Sequence, residues 1–599
     1  MSNSGLSYFP SNILSWDVFG YYLYLPLSFI YHDLGLRDFS IIETIINKYH
    51  NTDTFYQGVL MPTGKWVMRY SMGMSIFYLP FFLIGHLFAL IFNFPADGFS
   101  EPYQYSIWAG CMFYTFTGIF ILRKSLLKFF EDKIVSLILI IIVLGTNYTL
   151  HTSIHGQGAT SHNILFTVYT LILWFTIRWH ETLKFKYAFL LSIFCGLAAL
   201  ARPTEIVCIL IPIFWNVYNK QSLYEKISLL QKNKKQVIGF AIVLISIGFI
   251  QFTYWKIYAG QFIFDSYNNP GEGLDFPPHT INTLFSFRNG WFIYTPVMIF
   301  AIIGFFSLFK QNPMIFWGIF IYFIVNLLVV SSWTLWWYAQ CFGQRALIPS
   351  YAILSIPLGY FLKTVWMKNN KLKYFIFIII TFFVLLNLFQ TWQVANGILI
   401  SYRATPKFWC AVFGKTYITP EDKKLLYMEW PTNGIEIYPN DTNHIQTHTW
   451  RLEFDETEGY PKDKLNKEIF HLGNSSFILD SITEFSPAIE KKYTEITNKY
   501  YAWIRVSVWV YPTFDIKQKP VSVVCTFTHK GKAYKYKSVD LNKFPIELNK
   551  WNFVTFDYLT PEVLRNKNDH LAVYVWNLGK NRIFIDELKV EVFEPKSEP

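Results

Sequence analysis

Long apolar runs and short alternating ones divide this chain into two unlike parts. Between residues 103 and 396 the apolar runs recur at 103–122, 134–150, 163–179, 187–201, 205–218, 237–257, 292–309, 314–332, 346–363 and 373–396. A hydrocarbon layer about 30 Å thick takes about 20 helical residues to cross, so most of these runs read as membrane-spanning helices. The run at 205–218 is short, and Arg202-Pro203 separates it from its predecessor, so the two read as one bent hairpin. After Gln393 the pattern changes. Residues 401–445 are a connector rich in Pro, Thr and Asn, and from 446 onward apolar and polar positions alternate, as in 502–511, 521–527, 571–576 and 582–593. Period-two alternation of β-branched and aromatic residues predicts an antiparallel β sandwich over 446–599. The expected fold class is a polytopic α-helical membrane protein of about ten or eleven helices followed by an all-β sandwich domain.

Charge gives this pattern a direction. The chain has 599 residues, 16% of them charged, against about 25% in an ordinary soluble protein. Its net charge of +11 gathers in loops between the apolar runs. Arg123, Lys124, Lys128 and Lys133 fill one; Arg178, Lys184 and Lys186 another; Lys220, Lys226, Lys232, Lys234 and Lys235 a third; Lys363, Lys368, Lys371 and Lys373 a fourth. Basic residues in short loops mark the cytoplasmic side. That placement accounts for the basic excess and leaves no reason to invoke nucleic acid. The alternate loops, at 151–162, 202–205, 260–291 and 331–345, then share the outer side with the β domain. They hold nearly every unusual polar residue of the helical part.

One segment does not fit this alternation. The run 74–94 is long enough to span, but spanning would put residues 1–73 in the cytoplasm. Pro80, Gly85 and His86 interrupt it, which favours a segment partly embedded at the outer surface. Residues 1–102 are then an external loop with interfacial helices, ahead of a transmembrane domain at 103–400. Nothing before Asp17 is apolar enough to carry the N-terminus across, so this topology expects a further helix encoded upstream. The cysteines Cys111, Cys195, Cys208, Cys341, Cys410 and Cys525 show no metal-ligand spacing; most lie in or beside apolar segments, which favours buried thiols.

Candidate chemistry collects in the outer loops. Asp17 heads an aromatic segment, 15–26, that includes Tyr22, and Lys65 and Arg69 follow in the next loop. A carboxylate with nearby cations at a lipid surface suits transfer from a lipid-linked phosphate. Asp17 can act as general base toward an acceptor hydroxyl, while Lys65 and Arg69 hold the phosphate oxygens. An interfacial aspartate with snorkelling cations is the plainer alternative. His151, His155 and His162 cluster in one loop, but no nearby carboxylate completes a zinc set, so hydrogen bonding to substrate or loop is favoured. Arg202 and Glu205 sit between apolar segments, where ionisable groups are costly; a local ion pair fixing the turn is the alternative. Arg288 and Asn289 precede one helix. A tryptophan cluster around Trp336, with Gln340, Gln344 and Arg345, precedes another and offers stacking faces and hydrogen bonds for a sugar or head group.

Together these motifs resemble the GT-C class of glycosyltransferases, multi-spanning enzymes that take a sugar from a polyprenyl-phosphate donor on the non-cytoplasmic side. Within it, the likeness is to bacterial members related to the protein mannosyltransferases and the lipid A aminoarabinose transferase. It is carried by Trp16-Asp17 with Gly20-Tyr-Tyr22, Arg69-Tyr-Ser-Met-Gly-Met74 with Leu79-Pro-Phe-Phe82, and Ser161-His162. Gly196 through Arg202-Pro-Thr204, Asn289-Gly-Trp291 with Thr295-Pro296, and Phe342-Gly-Gln-Arg345 complete it. The resemblance spans residues 10–400. It implies an inverting displacement with Asp17 as base, and a transmembrane helix ahead of the loop that carries it. Lys65, Arg69, Arg202 and Arg345 would bind the donor phosphate; Tyr22, His162, Glu205, Arg288, Asn289, Trp336 and Gln344 would line the substrate cavity. It also implies a bacterial cytoplasmic membrane location with site and β domain outside, and a glycan, lipid or protein acceptor. Some relatives use a divalent cation, for which no ligand set is evident here.

The tail resembles a carbohydrate-binding jelly roll, in Lys550-Trp-Asn-Phe-Val-Thr-Phe556 and Ile585-Asp-Glu-Leu588. Trp503, Trp509, Trp551 and Trp576 are candidates for stacking on sugars, with core packing the favoured role for most of them. A transporter or flippase of lipid-linked sugars would show related halves or broken helices near the midplane, whereas the polar residues here crowd one face. A non-catalytic sugar-binding protein would not need Asp17 and the arginines to share a cavity.

Overall fold

The computed structural model describes residues 12–153, 159–267, 272–367, 371–431, 435–455, 459–517, 520–562 and 564–596. They form two compact units. One comprises the chain up to Tyr267 together with Phe276–Leu426; the other begins at Tyr427 and includes a short piece ending at Asp275.

The first unit is helical. Among its described residues six helices are long and apolar enough to cross a membrane: Gly73–Ile91, Glu101–Leu126, Lys234–Tyr258, Pro313–Ser331, Arg345–Trp366 and Lys371–Ala395. Other helices, among them Asp132–Gly145, Ser161–Thr182 and Phe185–Ala201, occupy the other predicted runs. Local chemistry sets the ends. Glu101–Leu126 opens with Glu101 and Pro102 and closes on Arg123 and Lys124, the polarity its dipole favours. Burial sorts the helices by position. The most apolar windows of Lys234–Tyr258 and Lys371–Ala395 are only 11% buried, whereas that of Arg345–Trp366 is 94% buried. The first two are apolar on every face and suit lipid contact; the last is the centre of the bundle. This is a multi-pass membrane protein.

The expected interruption at 74–94 is not there. Gly73–Ile91 is one continuous helix with Pro80 inside it. A bundle can accommodate such a proline, because neighbouring groups and small local adjustments take up the freed carbonyl. His86 does not break the helix either: its Nδ1 lies 2.5 Å from the Tyr103 hydroxyl on the next helix. Ahead of it lie the short helices Trp16–Tyr22, Tyr24–Phe29 and Ser40–Tyr49, then a hairpin of strands Gly58–Leu60 and Trp66–Met68.

The second unit is the predicted β sandwich. In the larger sheet Trp503–Pro512 lies between Asn552–Leu559 and Ile583–Pro595, all antiparallel. The smaller sheet places His570–Trp576 between Ile489–Lys492 and Ser522–His529. Alternation does the work expected of it. Ile504, Val506, Val508 and Val510 face Val521, Val523, Cys525, Phe527, Leu571, Val573 and Val575 across a single core.

Candidate functional site

Asp17 is held by its own helix and by the hairpin. Trp16 just before it is left-handed, with φ of 54°. Its N–H donates to the Asn51 carbonyl and its carbonyl accepts from Gln57 Nε2, which fix that unfavourable backbone. In the hairpin Gly58 pairs with Met68 and Val59 with Val67, and the Arg69 N–H donates to Gln57. Continuing that register past Gln57 and Arg69, two steps from the Gly58–Met68 pair, sets Tyr56 across from Tyr70 on the same face. Both hydroxyls donate to Asp17 Oδ1, Tyr70 at 2.7 Å and Tyr56 at 3.0 Å. Burial and the Asp17 charge push both phenols well above their ordinary range, so each remains a donor. Gly20 makes the approach possible, since a Cβ there would lie 2.4 Å from the Tyr70 ring.

The other carboxylate oxygen faces a cation from 328 residues away. Arg345 Nη2 lies 3.4 Å from Asp17 Oδ2. Arg345 stands at the head of the central helix, its side chain 14% exposed, and its buried Nε has no hydrogen-bond partner among the described residues. A second cationic group sits close by. Arg202 ends Phe185–Ala201, where its Nη1 lies 3.4 Å from His162 Nδ1 and 3.9 Å from Glu205. Glu205 is buried and accepts from the Tyr169 hydroxyl at 2.7 Å. The two groups meet around the buried Tyr21, which lies within electrostatic reach of Asp17, Arg202 and Arg345. Gly73 keeps the loop after the hairpin against Arg202, because a Cβ at 73 would lie 2.2 Å from the Ala201 nitrogen.

Asp17, Arg345, Arg202, His162 and Glu205 are therefore brought together, and Arg69 lies at their edge. Its guanidinium is 5.8 Å from the Tyr267 ring, which in turn is 6.1 Å from the Tyr70 ring. The remaining candidates have other partners. The Tyr22 hydroxyl donates to Gly98, and its ring packs against Tyr78, Phe82 and Phe99. Lys65 reaches the Ile257 carbonyl, at the end of Lys234–Tyr258. Arg288 Nε donates to the Tyr402 carbonyl while its guanidinium stacks 3.6 Å over Trp337. Asn289 donates to the Trp337 carbonyl and Gln344 to that of Trp336, so both amides hold the tryptophan loop. Trp336 itself meets Trp337 edge-on.

His151 donates from Nε2 to the Phe342 carbonyl, and His155 lies outside the described residues. Among the described residues no three His, Cys, Asp or Glu side chains are grouped to hold a metal ion. In the β unit Trp503 is buried, Trp509 stacks 3.8 Å from the His471 ring, and Trp551 packs against His471 and Tyr511. Trp576 stacks on the half-exposed Phe485.

Tyr21, Tyr56 and Tyr70 are the site groups that sequence reasoning passed over. A signal existed for Tyr21: four residues after Asp17 it shares a helix face with it, whereas Tyr22 is turned about 140° away.

No family model matches the chain, and no curated protein does. Among solved structures, it is similar to the oligosaccharyltransferase of Archaeoglobus fulgidus in its apo form, at 14% identity and a TM-score of 0.35. The match covers 68% of this chain and 58% of that one. At such a score the chemistry of the site rests on its own geometry.

Proposed function

We propose that this chain is a membrane glycosyltransferase that moves a sugar, with inversion, from a polyprenyl-phosphate donor to an acceptor. The observation that carries this reading is the Asp17 carboxylate, set by two phenols on one oxygen, beside two loosely paired guanidiniums. Asp17 Oδ2 takes the proton of the acceptor hydroxyl as the acceptor oxygen bonds to the sugar's anomeric carbon. The bond from that carbon to the phosphate oxygen breaks on the opposite side, and its electron pair leaves with polyprenyl phosphate. A phosphate monoester has a second pKa of about 6, so it departs without a proton donor. Arg345 and Arg202 balance the charge it gains, and the proton on Asp17 passes to water.

The basic loops at 123–133, 178–186, 220–235 and 363–373, read as cytoplasmic, support an orientation with this site on the opposite, non-cytoplasmic side, in a bacterial cytoplasmic membrane. A glycan, lipid or protein acceptor meets it there. Phe553 and Phe485, each about half exposed beside Trp509 and Trp576, support sugar contact by the β unit. The test is transfer of radiolabelled sugar by the purified protein in lipid, from a panel of polyprenyl-phosphate sugars. Asp17→Asn should lower kcat by about 10²- to 10⁴-fold with donor binding retained. Near-normal turnover by that variant removes Asp17 as the base.

A further inference from the structure

Asp17 as described cannot yet serve an incoming acceptor. A carboxylate oxygen offers two lone pairs, and the phenols of Tyr56 and Tyr70 occupy both on Oδ1. The acceptor proton must therefore arrive at Oδ2, the oxygen that Arg345 faces. A guanidinium there competes for the same lone pairs and stands in the acceptor's path.

The contact is also poorly made. Charge-assisted N–H···O bonds close to about 2.7–2.9 Å, whereas this one is 3.4 Å, and the buried Arg345 Nε has no hydrogen-bond partner among the described residues. Arg345 further lies within electrostatic reach of Arg202, a like charge. A phosphate between them would use the Nε–Nη fork, which matches phosphate oxygens in pairs, and would relieve their repulsion.

Resting on the transferase reading above, we infer that Arg345 makes substrate binding ordered. In the empty site it covers Oδ2 of Asp17. A lipid-linked phosphate draws it away, and only then is Oδ2 open to the acceptor. Donor therefore binds first, and the base is shielded whenever no leaving group is present. Tyr56 and Tyr70 keep the carboxylate still while its partner changes.

The experiment follows exposure of Asp17 without needing the acceptor. The full chain in lipid nanodiscs is treated briefly with excess carbodiimide and glycine ethyl ester, and modification of Asp17 is read by peptide mass spectrometry. Decaprenyl phosphate is the probe, decaprenol the neutral control, and binding of the radiolabelled phosphate is measured in parallel. Decaprenyl phosphate should speed modification by about fivefold or more, the low end of coupling between sites, and decaprenol should not. Arg345→Gln should be modified fast with or without the phosphate. Unchanged or slower modification of the wild-type protein with decaprenyl phosphate demonstrably bound overturns the ordered mechanism and leaves the transferase reading standing. Absence of saturable decaprenyl phosphate binding overturns both. The wild-type comparison decides the matter even where Arg345→Gln fails to fold.

Discussion

Replacing Tyr70 by Phe removes one hydroxyl and leaves the ring where Gly20 lets it pack. That hydroxyl gives Asp17 Oδ1 its shorter bond, 2.7 Å against 3.0 Å from Tyr56. A hydrogen bond to a charged group contributes about 1.5–3 kcal/mol when buried. The Asp17 side chain is 33% exposed, and water replaces part of what is lost, which puts the cost near the low end, about 1.5 kcal/mol. At about 1.4 kcal/mol per decade the expected effect is a roughly tenfold fall in kcat. Both phenols bond the carboxylate rather than the guanidiniums proposed to hold the phosphate, so the donor KM should stay put. Tyr56→Phe should cost less. The double variant should depart from the sum of the two, because both donors share one oxygen. Tyr22→Phe is the control: it loses a bond to the Gly98 carbonyl and should cost about 1 kcal/mol of stability with kcat unchanged. Steady-state transfer in nanodiscs separates these outcomes. An unaltered kcat in Tyr70→Phe, or a change confined to KM, would refute the idea that the hairpin positions the base.

Gly73→Ala forces a methyl against the backbone of Leu200 and Ala201, an overlap that should cost about 1–3 kcal/mol in thermal stability. It should also raise the donor KM, because Arg69 and Arg202 flank that contact; a stable variant with normal KM would count against their shared role. Asp97 predicts a pH effect. Burial would raise its pKa, but bonds from Lys48, Tyr49 and the Phe99 N–H outweigh it and hold the carboxyl below its ordinary range. Its stabilising contribution is therefore complete above an unfolded pKa of about 3.9 and is lost as pH falls through the lower folded value. Tm should decline in that window more steeply for the wild-type protein than for Asp97→Asn, and parallel curves would show that the pairing contributes nothing.

The helices were legible because crossing a bilayer imposes a length and a polarity that few other segments satisfy. The sandwich was legible because its strands keep one face apolar, as Ile504, Val506, Val508 and Val510 do. Pro80 misled, since its effect in water differs from its effect inside a bundle. At the site, Asp17, Arg202 and Arg345 stood out as charges where charge is expensive. Arg288 stood out for the same reason, yet its guanidinium serves the tryptophan loop; sequence alone does not separate a cation that holds a ligand from one that holds a ring. The pairing of Tyr56 with Tyr70 depends on a hairpin register that a three-residue strand barely announces.

That hairpin has a practical consequence. Strands this short have little stability of their own. Trp66 stacked on Phe39, Phe55 edge-on to it, and the Tyr254 hydroxyl bonded to the Met68 N–H tie the hairpin to its surroundings. The bundle beneath is fastened by whole helices. A preparation can therefore keep its helical content and its monodisperse profile after warming or harsh detergent while the two phenols have already left the carboxylate. Yield and apparent foldedness are poor guides to how much of such a sample is competent.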